Sequence, residues 1–554
     1  MHERSGHVDT FCQDRLPPRA LWPHLDYSGI PELTYARRLN CAVELLDEAV
    51  ASGHGDRPVF HYRREMWTYR DLLRTASQIA HVLVQDFGVI PGNRVLLRAP
   101  NTPMLAACWL AVLKAGGVVV CTMPLLRARE LRYLVEKADV SLALCDARFA
   151  PDCERAMNFS TELTRRRMVL FCGDVPESSQ ISATSAAETL EALMHDKPAT
   201  FPNCDTAADD VALIAFTSGT TGRGKGTMHT HRDVMAVTDC FPRYVLKPRA
   251  DDIFCGSPPL AFTYALGGLL LFPMRFGASV LLLEQASPPH LIRAIHEHRP
   301  TVCFTAPTAY RAMLGMLGDF DVSSLRRCVS AGETLPLATF EGWRQATGLS
   351  IIDGIGATEM LHIFISASDD EIRPGATGKV VAGYQACVVD DLGQALPPGA
   401  IGQLAVRGPT GCRYLDDVER QQVYVRNGWN ITGDSYRLDE DGYFWYQART
   451  DDMIVSSGYN ISGPEVENAL LEHPAVQECA VVGVPDEERG QLVTAFIVLH
   501  PSVIATPPDV KELQEFVKAE IAPYKYPRRI EFVQSLPRTE TGKLQRFKLR
   551  EETA

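Results

Sequence analysis

One stretch of the chain combines small, hydroxyl-bearing and cationic residues at a spacing that suits a ligand rich in phosphate oxygens. It reads Phe216-Thr217-Ser218-Gly219-Thr220-Thr221-Gly222-Arg223-Gly224-Lys225-Gly226. Its glycines let the backbone turn tightly and bring N–H groups near a ligand, while its hydroxyls and cations add further donors. An apolar run at residues 211–215 precedes it, and the helix-like segment His231–Asp239 follows. The stretch therefore predicts a polyphosphate-binding loop after a buried strand.

The same loop partly matches a Walker A motif, because Gly219, Gly224 and Lys225 have the G-x4-G-K spacing. The next residue is Gly226, where that motif needs a serine or threonine hydroxyl for magnesium. This difference disfavours a P-loop NTPase. A flexible surface linker is also disfavoured, since linkers are not normally preceded by a buried strand.

Two further motifs carry oxygen ligands beside glycines. In the run from Asp353 to Glu359, Thr358 offers a hydroxyl to a phosphate and Glu359 offers the hard oxygen that magnesium prefers. Asp434 follows Gly433, and a carboxylate there can accept hydrogen bonds from both hydroxyls of a ribose. Each motif alone also fits a simpler interpretation: a surface Thr-Glu pair, or an aspartate that caps a turn.

The last part of the chain contains a glycine-rich loop and an isolated lysine. Gly458 lies in the loop at residues 456–463, and Pro464 then fits the first position of a helix. Lys543 follows Gly542 in Pro537-Arg-Thr-Glu-Thr-Gly542-Lys543. A lysine on a glycine-hinged loop can reach into a cleft and stabilise developing negative charge. A lone lysine near the end of a chain is otherwise a solvated surface residue.

Taken together and in this order, these motifs resemble those of the adenylate-forming superfamily, which includes acyl- and aryl-CoA ligases, adenylation domains of peptide synthetases and luciferases. The phosphate loop is similar to the family pattern T-S-G-T-T-G-x-P-K-G, with Gly224 in place of the proline. The run around Lys543 matches P-x-T-x-S/T-G-K. The resemblance covers nearly the whole chain. It implies that a carboxylate attacks the α-phosphorus of MgATP, and that a thiol then displaces AMP from the acyl-adenylate.

The resemblance also implies a role for each matched residue. Thr358 contacts the α-phosphate, Glu359 holds Mg2+, Lys543 acts in adenylation, and Asp451 is the hinge between two domains. Gly458 lets the pantetheine thiol of coenzyme A pass. The expected ATP contacts are Thr217, Ser218, Gly219, Thr220, Thr221, Gly222, Lys225, Asp353, Gly354, Ile355, Asp434 and Arg449. Ile355 stands where the family often has an aromatic ring that stacks on adenine.

The acid is expected to be aromatic. The run from Asp353 to Phe364 resembles benzoate-CoA ligases, and His7-Val-Asp-Thr-Phe11 with Leu16-Pro-Pro18 and Trp22-Pro23 is similar to 2-aminobenzoate-CoA ligases. The resemblance implies an acid pocket formed by Tyr264, Ala265, Gly267, Ala331, Gly332, Gly356 and His362. His362 is either a pocket wall that contacts a ring substituent or a satisfied core histidine. The favoured acids are 2-aminobenzoate and benzoate.

Three other functions remain open. The acyl acceptor can be a carrier-protein thiol instead of CoA, and the acid can be a fatty or other acyl acid. A catalytically silent binding protein on the same fold is the third. The presence of Lys543, Glu359 and Asp434 together argues against a silent protein.

The elements that must position these residues indicate an α/β fold. From residues 95–98 to residues 301–305, short apolar runs alternate with helix-like segments, which predicts mainly parallel sheets layered by helices. Short alternating strands between about residues 378 and 449 predict a β-barrel-like subdomain. Residues 450–554 read as a small, mobile α+β domain joined by a hinge to the N-terminal AMP-binding domain, residues 1–449.

Composition limits the partners. The 554 residues carry a net charge of −13, which argues against a nucleic-acid partner. No apolar run reaches the length of about 18–20 residues that a membrane-spanning helix needs, and no secretory signal is evident. The 15 cysteines are scattered, with no C-x-x-C pair, which favours a reduced, cytoplasmic protein. We expect a monomer or homodimer whose ligands are the acid, ATP, Mg2+ and CoA.

Overall fold

The protein was analysed as a computed structural model. It describes residues 4–158, 167–171, 189–217, 224–332, 335, 337–449, 453–503, 508–537 and 546–551. Within these ranges the chain forms four β-sheets and the helices that cover them.

The strands are numbered along the chain. They are β1 Pro58–Tyr62, β2 Glu65–Thr68, β3 Arg94–Arg98, β4 Val118–Thr122, β5 Leu142–Asp146, β6 Arg167–Phe171, β7 Val211–Thr217, β8 Lys225–Thr230, β9 Ile253–Gly256, β10 Ser279–Leu281, β11 Val302–Thr305, β12 Arg327–Ser330, β13 Ile351–Gly356, β14 Ile363–Ser366, β15 Lys379–Val380, β16 Gln385–Val389, β17 Ile401–Arg407, β18 Val425–Arg426, β19 Trp429–Leu438, β20 Phe444–Arg449, β21 Met453–Ser456, β22 Tyr459–Ser462, β23 Val476–Asp486, β24 Gly490–Leu499 and β25 Arg529–Phe532.

The α-helices are numbered in the same way. They are α1 Phe11–Asp14, α2 Tyr69–His81, α3 Pro103–Lys114, α4 Ala128–Lys137, α5 Ala150–Met157, α6 Leu190–Met194, α7 His231–Asp239, α8 Thr263–Leu266, α9 Phe272–Arg275, α10 Pro288–His298, α11 Pro307–Leu314, α12 Leu337–Thr347, α13 Val418–Tyr424, α14 Gly463–Leu471, α15 Val510–Glu520 and α16 Arg546–Glu551. Side chains fix several of the helix starts: Thr68 and Asp71 form a capping box at α2, as Thr230 and Asp233 do at α7.

Two mainly parallel sheets dominate the large N-terminal domain. The first has nine strands in the order β15-β14-β13-β12-β11-β9-β10-β1-β2, and the second has six in the order β6-β5-β3-β4-β7-β8. Strands that are buried on both faces read as continuous apolar runs, as Val118–Thr122 does. Antiparallel pairs occur only towards the edges among the described strands, at β1–β2, β13–β14, β14–β15 and β7–β8.

Three apolar cores give this domain its layers. The largest lies between the two sheets and includes residues of α2, α3 and α7, such as Leu72, Leu110 and Val234. A second core packs α4 and α5 on the outer face of the six-stranded sheet. A third packs α10, α11 and α12 on the outer face of the nine-stranded sheet. The layered, mainly parallel architecture that the sequence predicts is therefore confirmed.

The other two sheets follow the large core. Strands β16, β17, β19, β18 and β20 form an antiparallel sheet, which agrees with the short alternating strands seen in the sequence. Strands β21 to β25 form the sheet of a small C-terminal domain, with its own core and with α14 and α15 packed on it. None of the helices in the part of the chain that the structure describes is long and apolar enough to cross a membrane.

One element differs from the expected order. Strand β8 lies between the phosphate loop and α7, so the loop joins an antiparallel hairpin instead of leading into a helix. The polar sequence Lys225–Thr230 hides this strand from pattern analysis, although most of its side chains are buried. The N-terminus of α7 is therefore one strand away from the loop that the sequence predicts to bind phosphate.

Candidate active site

A cleft of about 1230 Å³ lies where the large domain meets the C-terminal domain. Its walls contain residues from the ends of β4, β7 and β13, from the antiparallel sheet, and from the hairpin β21–β22. The predicted site residues that line it are Thr217, Lys225, Tyr264, Ala331, Gly332, Gly356, Thr358, Glu359, His362, Asp434 and Gly458. Residues up to 241 positions apart in the sequence thus meet in one cleft, counting from Thr217 to Gly458 (458 − 217).

The Thr358–Glu359 segment forms a tight turn held from two sides. It is a 3-10 turn, Thr358–Met360, and the following Leu361 has a φ of 70°, which is unfavourable for a bulky side chain. The hydroxyl of Tyr414 donates to Glu359 Oε1 at 2.6 Å. On the other side, His229 Nε2 donates to the carbonyl of Thr358 at 2.7 Å. Burial lowers the pKa of His229 to about 4, so this histidine is neutral and its proton stays on Nε2.

Asp434 lies in the cleft wall on a strand. It is in β19, next to Gly433, whose φ is 78°. The register of β17 on β19 shifts at this point, so Gly433 and Asp434 sit in a β-bulge. Asp434 therefore belongs to a strand and not to a connecting turn. Across the ladder its backbone pairs with that of Arg449.

In the acid pocket predicted from the sequence, the rings of Tyr264 and His362 line the cleft, and the fully buried Phe272 packs against His362 from outside the wall. The imidazole lies against Phe272 in an edge-to-face contact at 4.5 Å between ring centroids, and 5.8 Å from the ring of Tyr264. Its Nε2 bonds to the backbone carbonyl of Tyr264 at 3.2 Å, whereas Nδ1 has no hydrogen-bond partner among the described residues. Burial lowers the pKa of His362 to about 3. The ring is therefore neutral, and because Nε2–H donates to a carbonyl, Nδ1 is an acceptor.

Two glycines allow the close packing of the chain around His362. A Cβ at Gly267 would lie 2.3 Å from His362 Cδ2, and a Cβ at Gly356 would lie 2.7 Å from the His362 carbonyl oxygen. Gly267 thus lies behind the histidine and does not line the cleft among the residues described, nor does the fully buried Ala265. Asp353, Gly354 and Ile355 also lie outside its wall, in β13.

The C-terminal domain closes one side of the cleft with an aromatic ladder. Gly458, with a φ of 80°, is in the turn of the β21–β22 hairpin, and Tyr459 follows it. The ring of Tyr459 stacks on Tyr524 at 4.2 Å and meets Phe262 of the large domain edge-on at 6.4 Å. The glycine turn is therefore fixed inside the cleft by contacts with both domains.

A buried ion cluster also joins the two domains. Lys525 Nζ donates to Glu130 Oε1 of α4 at 2.6 Å and to Glu465 Oε1 of α14 at 2.7 Å. The Lys525 side chain is only 4% exposed and that of Glu130 10%. Burial, with a further contribution from Glu130, raises the pKa of Glu465. Nearer the rim, Arg129 pairs with Glu472.

Cationic groups lie beside the glycine turn. Arg489 Nη1 donates to Ser457 Oγ at 3.2 Å, next to Gly458. Burial and the charge of Arg489 lower the pKa of Arg528, whose guanidinium also donates to the Tyr526 hydroxyl at 2.9 Å. Neither arginine is among the described residues that line the cleft.

Several predicted residues cannot be placed. Ser218, Gly219, Thr220, Thr221, Gly222, Asp451 and Lys543 lie outside the described residues, as does the side chain of Arg449. Their roles remain predictions.

Comparison with known proteins identifies the family. The chain matches the AMP-binding enzyme family over residues 47–413 and the AMP-binding enzyme C-terminal domain over residues 465–543. The chain belongs to the AMP-binding enzyme family. This confirms the resemblance to the adenylate-forming enzymes found in the sequence.

Three relatives of this AMP-binding enzyme are similar over almost its entire length. The benzoate–CoA ligase of Thauera aromatica is 33% identical over 536 residues, which cover 95% of this chain and 98% of the relative. The anthranilate CoA ligase AuaEII, solved with anthranoyl-AMP, is 33% identical with a TM-score of 0.72, covering 94% of this chain and 99% of that one. The amide bond synthetase McbA from Marinactinospora thermotolerans is 28% identical with a TM-score of 0.79, covering 93% and 99%.

Some residues of the cleft escaped the sequence analysis. These residues are Tyr414, Glu130 and Lys525, which lie outside the motifs described under Sequence analysis. Each acts on the site through a partner far away in the sequence. The one available signal was weak: Lys525 lies in a Tyr-Lys-Tyr-Pro run that is unusually aromatic for a surface segment.

Proposed function

We propose that this AMP-binding enzyme is an ATP-dependent aryl-CoA ligase. It adenylates an aromatic carboxylic acid, with 2-aminobenzoate or benzoate favoured, and transfers the acyl group to coenzyme A. The observation that carries this proposal is the meeting of three features in one cleft: the Thr358–Glu359 turn, an aromatic pocket around His362, and the glycine turn at Gly458.

The nucleotide half of the cleft supports the first step. A carboxylate oxygen of the acid attacks the α-phosphorus of ATP, and the bond to the pyrophosphate oxygen breaks. Lys225, Thr358 and Asp434 line the cleft. We assign the first two to phosphate oxygens and Asp434 to the ribose hydroxyls. We assign Lys543 to stabilising charge on the attacking and α-phosphate oxygens.

The residues at Glu359 fit a magnesium ion. Oε1 accepts the Tyr414 hydroxyl, and no described residue donates to Oε2, so one carboxylate oxygen is available in the cleft wall. Carboxylate oxygens are the ligands that Mg2+ prefers, often together with substrate phosphates. When bound, the ion would offset the negative charge of those phosphates.

The aromatic lining supports a flat, ring-shaped acid. Aromatic side chains favour offset or edge-on contacts with another ring, and these contacts add to the burial of apolar surface. Nδ1 of the neutral His362 is a buried acceptor without a partner among the described residues. An unsatisfied buried acceptor is costly, so a substituent that donates a hydrogen bond, such as a ring amino group, gains more here than a bare ring. This favours 2-aminobenzoate over benzoate.

The second step uses the other side of the cleft. The thiol sulfur attacks the carbonyl carbon of the aryl-adenylate, the bond to the AMP oxygen breaks, and the thiol proton is released. Gly458 lacks a side chain at the wall, and Arg489, which donates to the neighbouring Ser457, adds a positive charge near it that we assign to the phosphates of CoA. We infer that the described domain arrangement serves this step, and that rotation about Asp451 brings Lys543 in for adenylation.

A cytoplasmic location fits the proposal, since the 14 cysteines in the described ranges form no disulfide bond. Two alternatives differ in the acceptor of the acyl group: a carrier-protein thiol, or an amine, as the similarity to an amide bond synthetase indicates. A third alternative, a fatty or other acyl-CoA synthetase, differs from the proposed aryl-CoA ligase in the acid that it activates.

The test is AMP release from MgATP with benzoate, 2-aminobenzoate, a hydroxycinnamate and a medium-chain fatty acid, each with and without CoA. We expect CoA-dependent AMP and pyrophosphate formation with the benzoates, fastest with 2-aminobenzoate. Pyrophosphate exchange without CoA-dependent turnover would favour a carrier protein, and AMP release on addition of an amine would favour amide synthesis. Formation of ADP would refute adenylation altogether.

A further inference from the structure

We propose that Tyr414 is a positioning residue for the metal-binding carboxylate: its hydroxyl fixes Glu359 so that the second carboxylate oxygen faces the nucleotide. This inference rests on the proposed function, because it takes Glu359 as the residue that holds the cation of MgATP. It concerns how that carboxylate is held.

The contact itself is short and buried. Tyr414 is 2% exposed and Glu359 9% exposed, and 2.6 Å separates the hydroxyl from Oε1. Hydrogen bonds to a charged acceptor are stronger than neutral ones, and shielding from water increases the effect. No other described residue donates to the Glu359 carboxylate, so this one bond decides how the group is rotated.

The tyrosine is itself fixed by backbone contacts. It forms an antiparallel bridge with Thr227 of β8, and the next amide, that of Leu415, donates to the carbonyl of Gly226 at 2.8 Å. The Tyr414 amide donates to Oε1 of the fully buried Gln421 at 2.9 Å. The phenol hydroxyl is therefore a rigid donor and does not need to be ordered when a ligand binds.

The geometry links this donor to the phosphate loop. Strand β8 begins at Lys225, bridges to Tyr414 through Thr227, and contacts the carbonyl of Thr358 through His229. The carboxylate for the cation and the residue that follows the phosphate loop are thus attached to the same strand. A cation that bridges a carboxylate and phosphates needs both at a fixed separation, and this strand provides it.

The decisive variant is Tyr414→Phe, which removes the hydroxyl and retains the ring. Loss of a group that orients a metal ligand typically costs about 10- to 100-fold in metal affinity. We expect the Mg2+ concentration for half-maximal AMP formation to rise about tenfold, while saturating Mg2+ restores most of kcat. Without turnover, Mn2+ binding in the presence of α,β-methylene-ATP, measured by electron paramagnetic resonance, should weaken by a similar factor.

Tyr69→Phe is the matched control. Tyr69 is also fully buried and its hydroxyl donates to a backbone carbonyl, that of Ala278, at 2.9 Å, outside the cleft. This variant should lose similar stability and leave Mn2+ binding unchanged. An unchanged Mn2+ affinity in Tyr414→Phe, or a loss of kcat that excess Mg2+ does not restore, would overturn the assignment.

The two proposals fail in different ways. If the wild-type protein releases no AMP with any acid but Tyr414→Phe still weakens Mn2+ binding, the aryl-CoA ligase proposal fails and the role of Tyr414 stands. If the wild-type protein turns over but its nucleotide complex binds Mn2+ as tightly without the Tyr414 hydroxyl, only the inference fails.

Discussion

The ion pair between Glu130 and Lys525 offers a direct test of the domain arrangement. Glu130→Gln removes the charge that the large domain contributes, and it retains the size of the side chain. Glu130 Oε2 also accepts the amide of Arg127 at the start of α4, and a glutamine oxygen can still accept that bond. Within the C-terminal domain, Lys525 keeps its bond to Glu465. The substitution therefore weakens mainly the attraction between the domains.

The expected size of the effect of Glu130→Gln follows from the burial of its ion pair with Lys525. With both side chains 10% exposed or less, the bond is a charge-assisted one shielded from water. Such bonds contribute about 1.5–3 kcal/mol, and a value of about 2 kcal/mol corresponds to about 30-fold in an equilibrium constant. If this arrangement serves thioester formation, the rate of that step from preformed 2-aminobenzoyl-adenylate and CoA should fall by up to about 30-fold.

The assay compares both half-reactions on the same protein. Single-turnover thioester formation should slow, whereas ATP–pyrophosphate exchange, which needs the other arrangement, should be unchanged or faster. Glu136→Gln is the matched control, since Glu136 is an exposed glutamate on the same helix. An equal decrease in both half-reactions, or no decrease in either, would refute the reasoning.

Three other substitutions test separate parts of the molecule. Lys543→Ala should nearly abolish adenylation but affect thioester formation from preformed aryl-adenylate much less; an equal loss in both would contradict its assigned role. His362→Phe should lower kcat/KM for 2-aminobenzoate about fivefold relative to benzoate, the value of one neutral hydrogen bond, and an equal loss with both acids would exclude an acceptor role. Asp47→Asn should destabilise the large domain in urea by about 3 kcal/mol, since the fully buried Lys114 donates to both Asp47 oxygens. The exposed pair of Lys197 with Asp86 provides its control, because Asp86→Asn should cost less than about 1 kcal/mol.

The layered sheets were predictable because their strands are apolar on both faces. Val118–Thr122 and Val302–Thr305 can be recognised by composition alone. Strand β8 could not be, since it is rich in polar side chains although most of them are buried, and the partner of His229 is the distant Thr358 carbonyl. Sequence patterns predict that a polar segment is exposed to solvent. Its burial becomes evident only from the tertiary contacts.

The residues of the candidate site also fall into those that could be predicted from the sequence and those that could not. The presence of Glu359 and Gly458 in the cleft could be predicted, because each lies in a motif with recognisable neighbours in the sequence. Tyr414 could not, because its partner is 55 residues away, and Lys525 bonds to a residue 395 positions away. Sequence motifs identify residues that are expected to contact the ligand. The residues that position them come together only in the folded chain.

Under the proposed function, the residue assigned to the acid and the residue assigned to the metal–nucleotide complex are held in the cleft by different contacts. His362 is held by contacts within the large domain, to Phe272 and to the Tyr264 carbonyl. Glu359 depends instead on Tyr414, which is attached to β8. Because the two supports share no described side chain, substitutions at His362 should change the acid preference and leave the KM for ATP nearly unchanged. A parallel rise in both KM values would show that the acid pocket and the nucleotide site are coupled through the backbone of the turn at residues 358–362.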